Sequence, residues 1–271
     1  MSRKSPSLNP PARGWQRDLP GPNAKPVELP RFPMAAPNHV DEVYLELPRS
    51  YLDMRGLMLV IGCVAVIFEL ALVGSFAGSL IDDFDMSALA MLSSAMLLLL
   101  GAIFAIRLDV APPCDLPLRF NRARRKIYAY EIKVVWWNPF ARWPVRAIEY
   151  NWDDVRAEAW RQQGLTSNGG YVAKWGVVLS VVKPGTNQVI DRIELRAKAN
   201  GEGVWAYICT YMQKGPAALP PSEYDPVDWD NDPTLNPARL LAPKVKWPEA
   251  MDIESRTAPL DQDTRSVTQL M

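Results

Sequence analysis

Two long apolar segments decide the fold: Leu57–Leu80, LMLVIGCVAVIFELALVGSFAGSL, and Met86–Ile106, MSALAMLSSAMLLLLGAIFAI. The first contains a single acid, Glu69, and the second contains no charged residue. A helix needs about 20 apolar residues to cross a hydrocarbon core about 30 Å thick, and both segments reach that length. The short break between them forces the second helix to run antiparallel to the first. Residues 51–110 are therefore predicted to form a transmembrane helical hairpin, with a buried hairpin in a soluble domain as the alternative.

Charge predicts how the transmembrane hairpin is oriented. The break carries only acids, Asp82, Asp83 and Asp85, whereas both flanks carry bases. The basic flanking residues are Arg49, Arg55, Arg107, Arg119, Arg122, Arg124, Arg125 and Lys126. Flanks rich in Lys and Arg remain in the cytoplasm. Both termini and nearly all polar residues are therefore expected in the cytoplasm, with only the tip around Asp83 on the other side of the membrane.

Helical spacing separates two faces of the first span. Gly74 and Gly78 form a patch of small residues at which another helix can approach closely. We expect this patch to be the contact between the two spans. The residues expected opposite it are Ala90, Ser93 and Ser94. Glu69 lies on another face, and an acid in the middle of a bilayer is costly unless it is neutralised or paired. Glu69 is therefore expected either to be protonated or to support association with a second copy or with another protein.

Both ends of the chain are rich in proline. Residues 1–50 show neither a helical nor a strand period, and they are predicted to be a disordered cytoplasmic segment in which Glu42–Leu47 is a candidate short strand. Residues 216–271 are predicted to be a Pro-rich tail. Trp229 and Trp247 indicate that this tail packs on another surface, and a free tail is the alternative.

Between the spans and the tail, residues 115–215 change to a period of two, which is typical of strands. The predicted strands are Leu116–Arg122, Lys126–Val135, Val145–Asn151, Val155–Arg161, Tyr171–Val182 and Val189–Arg196. A helix at about Glu202–Lys214 follows. Its apolar stripe consists of Trp205, Ile208, Cys209 and Met212. Because that stripe must bury against the sheet, we expect a mainly β cytoplasmic domain closed by one C-terminal amphipathic helix. It is predicted to be a barrel like that of pleckstrin-homology (PH) domains or a strongly bent antiparallel sheet, with another small β-barrel as the alternative.

The sequence offers little catalytic chemistry. The only histidine, His39, lies in the N-terminal proline-rich segment, and the three cysteines, Cys63, Cys114 and Cys209, do not have the spacing of metal ligands. The sequence contains no phosphate-binding loop and no dinucleotide fingerprint. A formal net charge of +0 and a pI of about 6.6 are not typical of nucleic-acid-binding proteins. The chain is therefore expected not to be an enzyme, to use no cofactor or metal, and to bind no nucleic acid.

Two clusters are candidate binding sites. The basic cluster consists of Arg119, Arg122, Arg124, Arg125 and Lys126, and it either faces anionic lipid or reflects only the positive-inside topology signal. The aromatic cluster consists of Trp136, Trp137, Phe140 and Trp143. Its side chains are expected to enter the membrane interface, to fill a barrel mouth, or to form a partner-binding patch. The sequence leaves these alternatives open.

Four motifs, taken in their order, resemble one family. Tyr51–Gly56, YLDMRG, leads into the spans, and Arg119–Tyr128, RFNRARRKIY, follows them. Tyr150–Val155, YNWDDV, and Trp205–Ile208, WAYI, together with Tyr211–Pro216, YMQKGP, complete the series. The series is similar to an uncharacterised family of proteobacterial two-span membrane proteins, often encoded beside type VI secretion effectors that include Rhs and nuclease-type toxins. The resemblance covers about Glu42–Pro221 and implies an immunity or accessory protein of the bacterial inner membrane, without catalytic residues to carry over.

Three functions follow as hypotheses. The first is a membrane-anchored immunity protein whose β-domain binds and neutralises a cognate type VI toxin through a large complementary surface. The second is a lipid-binding or envelope-stress module that reads the membrane surface through its arginines. The third is a chaperone that loads the effector. The expected partners are accordingly a protein toxin, the lipid bilayer, and a second copy of the chain through the spans.

Overall fold

The computed structural model describes residues 5–33, 35–49, 55–82, 85–165, 170–195, 201–228 and 234–259. The strands are β1 (Trp15–Asp18), β2 (His39–Val40), β3 (Tyr44–Leu47), β4 (Leu118–Asn121), β5 (Lys126–Ile132), β6 (Val145–Asn151), β7 (Val155–Leu165), β8 (Tyr171–Val182) and β9 (Val189–Glu194). The helices are α1 (Leu57–Asp82), α2 (Met86–Val110), α3 (Gly201–Lys214), α4 (Pro237–Leu240) and α5 (Glu249–Arg256).

The two apolar segments form α1 and α2, which pack side by side and are long and apolar enough to cross a membrane. Little of either helix is buried against the rest of the protein. The break between them supplies a helix cap, because the Asp85 carboxylate accepts hydrogen bonds from the backbone N–H groups of Ser87 and Ala88. The prediction of two long apolar helices is confirmed.

The two helices meet through a different face of α1 from the one expected. A Cβ atom added at Gly62 would lie 2.5 Å from Ile106 Cγ1 and 2.8 Å from the Ala102 carbonyl oxygen, whereas a Cβ atom at Gly74 would meet nothing within 4 Å. The prediction that Gly74 lies in the helix contact is therefore wrong. Gly78, the other half of that predicted patch, lies outside the residues whose side-chain surroundings the structure describes.

On α2, the buried residues recur every seven positions: Ala88, Ala95, Ala102 and Asp109. This spacing is that of a seam between two packed helices. Ala90, Ser93 and Ser94, which were expected in the contact, are exposed, and both serine hydroxyls donate to carbonyls of their own helix.

Glu69 belongs to the same side of α1 as Gly62. Its side chain is only 6 % exposed, and its Oε1 atom has no hydrogen-bond partner among the described residues. Glu69 is thus buried within one chain, so the face on which it lies is not free to meet a second copy. The prediction that Glu69 points away from the contact between the spans is wrong.

Valine substitutions at the two glycines of α1 should have opposite outcomes. Gly62→Val places a branched side chain against backbone and should destabilise the helix pair by about 1–3 kcal/mol, since overpacking forces the neighbours to shift. Gly74→Val enters open space and is the matched control. Thermal unfolding of each purified variant in detergent measures the difference, and equal melting temperatures for Gly62→Val and Gly74→Val would contradict this packing.

The strands form two antiparallel sheets with the orders β1-β7-β8-β9 and β2-β3-β4-β5-β6. The consecutive strands β6 and β7 belong to different sheets, and a 3₁₀ turn at Trp152–Asp154 joins them. Each sheet therefore ends in edge strands, and the predicted PH-like barrel is wrong, as is a single bent sheet. The mainly β character and the six strands expected after the spans are confirmed, with small differences at their ends.

One hydrophobic core lies between the two sheets and α3. It contains Leu45, Leu118 and Phe120 from one sheet, and Leu179 and Ile193 from the other. The apolar stripe of α3, predicted from its spacing, contributes to the same core. The Trp152 ring is fully buried, and it contacts Phe120 edge-on and Trp205 at a tilt, with centroids 6.3 Å and 5.4 Å away. Burial of this ring explains why the chain turns from one sheet to the other at this residue.

The N-terminal segment is part of the β-domain. Strand β3 pairs with β4 from Tyr44↔Asn121 to Leu47↔Leu118, and β1 pairs with β7. The buried Glu158 carboxylate accepts the Ala12 N–H at 2.9 Å, which fixes the preceding loop. The prediction of a disordered segment is wrong for residues 5–33 and 35–49, while the candidate strand at Glu42–Leu47 is present as β3.

The helical hairpin formed by α1 and α2 is consequently an insertion between β3 and β4, two neighbouring strands of one sheet. The β-domain predicted from residues 115–215 is therefore incomplete, because a fragment such as Asp115–Met271 lacks β1, β2 and β3 and the core residues Leu45 and Leu47.

Replacing residues 50–114 by a Gly/Ser linker of about six residues should yield a folded, soluble domain, because the ends to be joined already pair. The Asp115–Met271 fragment should fail to fold cooperatively, since it loses the buried apolar surface of β3. Circular dichroism and thermal melting of the two chains measure this. A sharp unfolding transition for the fragment alone would show that the N-terminal segment is dispensable.

Candidate functional site

The long hairpin formed by β7 and β8 extends beyond its sheet. In the part of the chain that the structure describes, β1 pairs with β7 as far as Trp160, and β9 pairs with β8 from Val178 onward. Residues 161–165 and 171–176 are therefore the part of the β7–β8 hairpin that neither β1 nor β9 flanks, and we call it the β-arm. Among the described residues, the β7 side of the β-arm beyond Arg161 has β8 as its only neighbouring strand.

One face of the β-arm carries large exposed side chains. Because side chains alternate along a strand, Tyr171 and Trp175 lie on the same face, and Trp175 pairs across the hairpin with Arg161. Tyr171 is 61 % exposed and Trp175 is 52 % exposed. When the Gln163 side-chain amide is oriented so that both its nitrogen and its oxygen form hydrogen bonds, the nitrogen donates to the Tyr171 hydroxyl at 2.5 Å. The oxygen then accepts from Arg161 Nη2 at 3.0 Å. We call these four residues the β-arm surface.

The composition of the β-arm surface suits protein recognition. Tryptophan, tyrosine and arginine are the residue types most enriched among those that dominate binding energy at interfaces. With the Gln163 amide in that orientation, its hydrogen bonds connect Tyr171 to Arg161, which lowers the side-chain entropy that binding would cost. The sequence reasoning missed this surface. Alternating exposed aromatics at the start of the Tyr171–Val182 strand were the available signal, but half-buried strands show the same alternation.

The aromatic cluster divides into buried and exposed members. Trp143 is 6 % exposed, and its ring lies 5.2 Å from the Arg107 guanidinium at the end of α2. Trp136, Trp137 and Phe140 are exposed. Trp143 is therefore not available to a partner, and no barrel mouth exists for the cluster to fill.

The basic cluster is occupied by contacts within the protein. Arg122 pairs with Glu42 at 3.4 Å, Arg125 with Asp153 at 2.6 Å, and Lys126 with Glu254 at 2.6 Å. Arg124 donates to the carbonyl oxygens of Thr257 and Ala258. The cluster also lies at the end of the β4–β5 pair that is away from α2, about 20 Å along β5. Its placement is unfavourable for the predicted contact with lipid.

Arg119 is the buried member of this cluster and holds the C-terminal segment, residues 234–259, against β4. Its guanidinium bonds Glu46, Asp252 Oδ1 at 2.7 Å and Ser255 Oγ at 2.8 Å, and it stacks 4.5 Å above the Trp247 ring. Residues 234–259 therefore pack on the sheet, which is one of the two alternatives predicted for the tail. Trp229, which was expected to contribute, lies outside the described residues.

Asp252 and Glu254 of the C-terminal segment are held in their charged form. Burial opposes ionisation of Asp252, but hydrogen bonds from Arg256 and Arg119 outweigh it and lower the pKa of its carboxyl. A hydrogen bond from Lys126 lowers the pKa of Glu254. The basic residues after the spans thus serve as counter-charges for α5.

Replacing Arg119 should release the C-terminal segment. Arg119→Met leaves Glu46 and Asp252 without their shared partner in a largely buried site, a loss of about 3 kcal/mol. Arg122→Ala is the matched control, because it removes a half-exposed ion pair worth less than about 1 kcal/mol. Limited proteolysis between residues 234 and 259, together with thermal melting, measures the release. Equal protease resistance of the two variants would contradict the assigned role of Arg119.

The remaining reactive groups have structural surroundings. His39 stacks on the Tyr44 ring and bonds Asp41 at 2.8 Å. Burial raises the pKa of the Cys209 thiol well above its usual range, so that the thiol is protonated in the core. Within the part of the chain that the structure describes, no three His, Cys, Asp or Glu side chains come together as metal ligands would.

Comparison with known proteins yields one family match. The model of a family of unknown function, DUF6708, matches residues 95–259. No curated protein and no solved structure matches significantly. The matched range begins within α2 and ends where the described C-terminal segment ends, so it includes both the β-arm and the docked α5.

Proposed function

The chain belongs to the DUF6708 family of unknown function, and from this premise we propose that it is a membrane-anchored protein that captures a protein partner with its β-domain. The β-arm surface is the observation that carries the proposal. Trp175, Tyr171 and Arg161 form an exposed, preorganised group on a hairpin that extends beyond the body of the domain. Such a group suits the centre of an interface that typically covers about 800 Å² on each partner.

The exposed surface of the two helices supports the membrane anchor. Large apolar side chains point outward from both helices: Val60, Val64, Ile67, Phe68, Leu70, Met96, Leu97 and Leu98. Soluble monomers rarely expose a continuous apolar surface of this size, and a bilayer covers it at no cost in hydrogen bonding. The distribution of acids and bases around the helices favours the bacterial inner membrane with both termini in the cytoplasm.

The partner we propose is a toxin of a type VI secretion system, which makes the chain an immunity protein. The support is the resemblance of its ordered motifs to proteins encoded beside such effectors, together with a binding surface and the absence of a catalytic motif from the sequence. Neutralisation by occlusion needs a complementary surface and a slow dissociation rate, but no chemistry. Loading of an effector is the second candidate, because it would use the same exposed surface.

Recognition of lipid through the basic cluster is less well supported. Each of its five members contacts protein groups, and several of those groups are acids that neutralise its charge. Attraction to anionic lipid requires basic charge that is free near the membrane surface.

Co-expression with the toxin encoded beside this gene tests the proposal. Cells should survive with the full chain and die without it. Tyr171→Ala combined with Trp175→Ala should weaken toxin binding by about 2 kcal/mol or more, which is roughly thirtyfold, because both rings are expected at the centre of the interface. Binding to the detergent-solubilised full chain measures this.

Tyr224→Ala provides the matched control, since Tyr224 is also an exposed aromatic residue but lies away from the β-arm in the chain. It should bind the toxin as the unaltered protein does. Death of cells that contain the inserted full chain would exclude immunity. Binding without protection would favour effector loading, and failure to bind at all would overturn the capture of a protein partner.

A further inference from the structure

The loop between β5 and β6, residues 133–144, is attached to the end of α2. The Arg107 guanidinium donates to the carbonyl oxygen of Pro139 and, at 2.8 Å, to that of Ala141. The same guanidinium lies 5.2 Å from the Trp143 ring. Hydrogen bonds to a charged donor are the stronger kind, so this loop is held firmly at the helix end.

The loop also contacts α2 on the membrane side of Arg107. The Phe104 ring lies 5.4 Å from the Trp136 ring and 6.0 Å from the Trp143 ring. Phe104 precedes Arg107 by three residues, which is about 4.5 Å along the helix axis. Because Arg107 is the first charged residue after the apolar segment, the Trp136 ring lies at the depth at which a spanning helix leaves the apolar core.

The exposed side of the loop carries aromatic side chains, and hydrogen bonds within the loop fix its turn. The Asn138 side chain accepts hydrogen bonds from the N–H groups of Phe140 and Ala141, at 2.9 Å and 3.1 Å, and thereby fixes the turn. Trp137 is 83 % exposed and Phe140 is 66 % exposed, and they are held on either side of this turn. Tryptophan is enriched at membrane interfaces because its ring is apolar and its N–H is polar.

We propose that residues 133–144 are a membrane-interface anchor, in which Trp136, Trp137 and Phe140 enter the boundary between headgroups and acyl chains beside α2. This proposal rests on the membrane insertion contained in the proposed function. The anchor is a third attachment to the bilayer besides the two helices. Since the loop joins β5 to β6, its attachment fixes the angle between their sheet and the membrane. It thereby also determines which side of the β-domain faces away from the membrane.

Quenching of tryptophan fluorescence by brominated phosphatidylcholine tests the anchor in the full chain reconstituted in vesicles. Trp136→Phe combined with Trp137→Phe should lose most of the quenching that depends on brominated acyl chains. Both rings are exposed and phenylalanine remains apolar, so the fold and the insertion should persist. Adding Phe140→Trp to this double variant should restore quenching, because it returns an indole to the same interface.

Trp175→Phe is the matched control and should be quenched as the unaltered chain is. Equal quenching in the unaltered chain and in the double variant, with both floating with the vesicles, would overturn the anchor and leave the proposed function standing. Loss of quenching in Trp175→Phe instead would also overturn it, by placing the β-arm at the membrane. Failure of the unaltered chain to float would overturn the membrane insertion on which both proposals depend.

Discussion

The buried guanidinium of Arg49 is the interaction on which the rest of the structure depends. It donates to the carbonyl oxygens of Leu116 at 2.7 Å and Tyr130 at 2.8 Å, and it pairs with Glu131 at 2.6 Å. A longer bond, 3.3 Å, reaches the carbonyl oxygen of Glu194 on the other sheet. Arg49 lies two residues after β3, and its side chain therefore connects the segment that leads into β4, strand β5, and β9 of the other sheet. The buried guanidinium stabilises this junction only while its hydrogen-bond partners are present. A buried polar group that loses its partner has no water to replace it, and this costs free energy.

This junction explains how the inserted α1–α2 hairpin can interrupt a sheet without separating its halves. The Arg49 N–H donates to the Asp115 carboxylate at 2.9 Å. This hydrogen bond holds together the segment that leads to α1 and the segment that returns from α2. Asp109 at the end of α2 accepts the N–H groups of Gly56 and Leu59, and so caps the start of α1. The α1–α2 hairpin is thus connected to the β-domain at its base by hydrogen bonds. Because of these contacts, the β-domain and its β-arm keep a defined orientation relative to α1 and α2.

The charged and aromatic clusters show how neighbours in sequence acquire different roles. Arg119, Arg124 and Lys126 are close in the chain, and all three bind the segment at residues 252–258. Trp143 is buried on Arg107, whereas Trp137, six residues earlier, is exposed. A local cluster of one residue type indicates that an interaction exists. The partner is decided by residues that are distant in the chain, 133 positions away for Arg119 with Asp252 and 36 positions away for Trp143 with Arg107.

The sequence by itself determined the elements whose cause is local. The length of the apolar segments, the period of two in β4–β9 and the one-sided stripe of α3 each depend on contiguous residues, and all of them are present in the structure. Only the tertiary structure decided which elements meet. In the structure, β3 pairs with β4 across the helical hairpin, and the chain forms two sheets around Trp152 instead of the expected barrel. The Gly62 side of α1 faces α2. These choices depend on burial and on partners that are distant in the chain, so no local pattern reports them. The β-arm surface was missed for the same reason, because a strand's alternation does not say where its sheet ends.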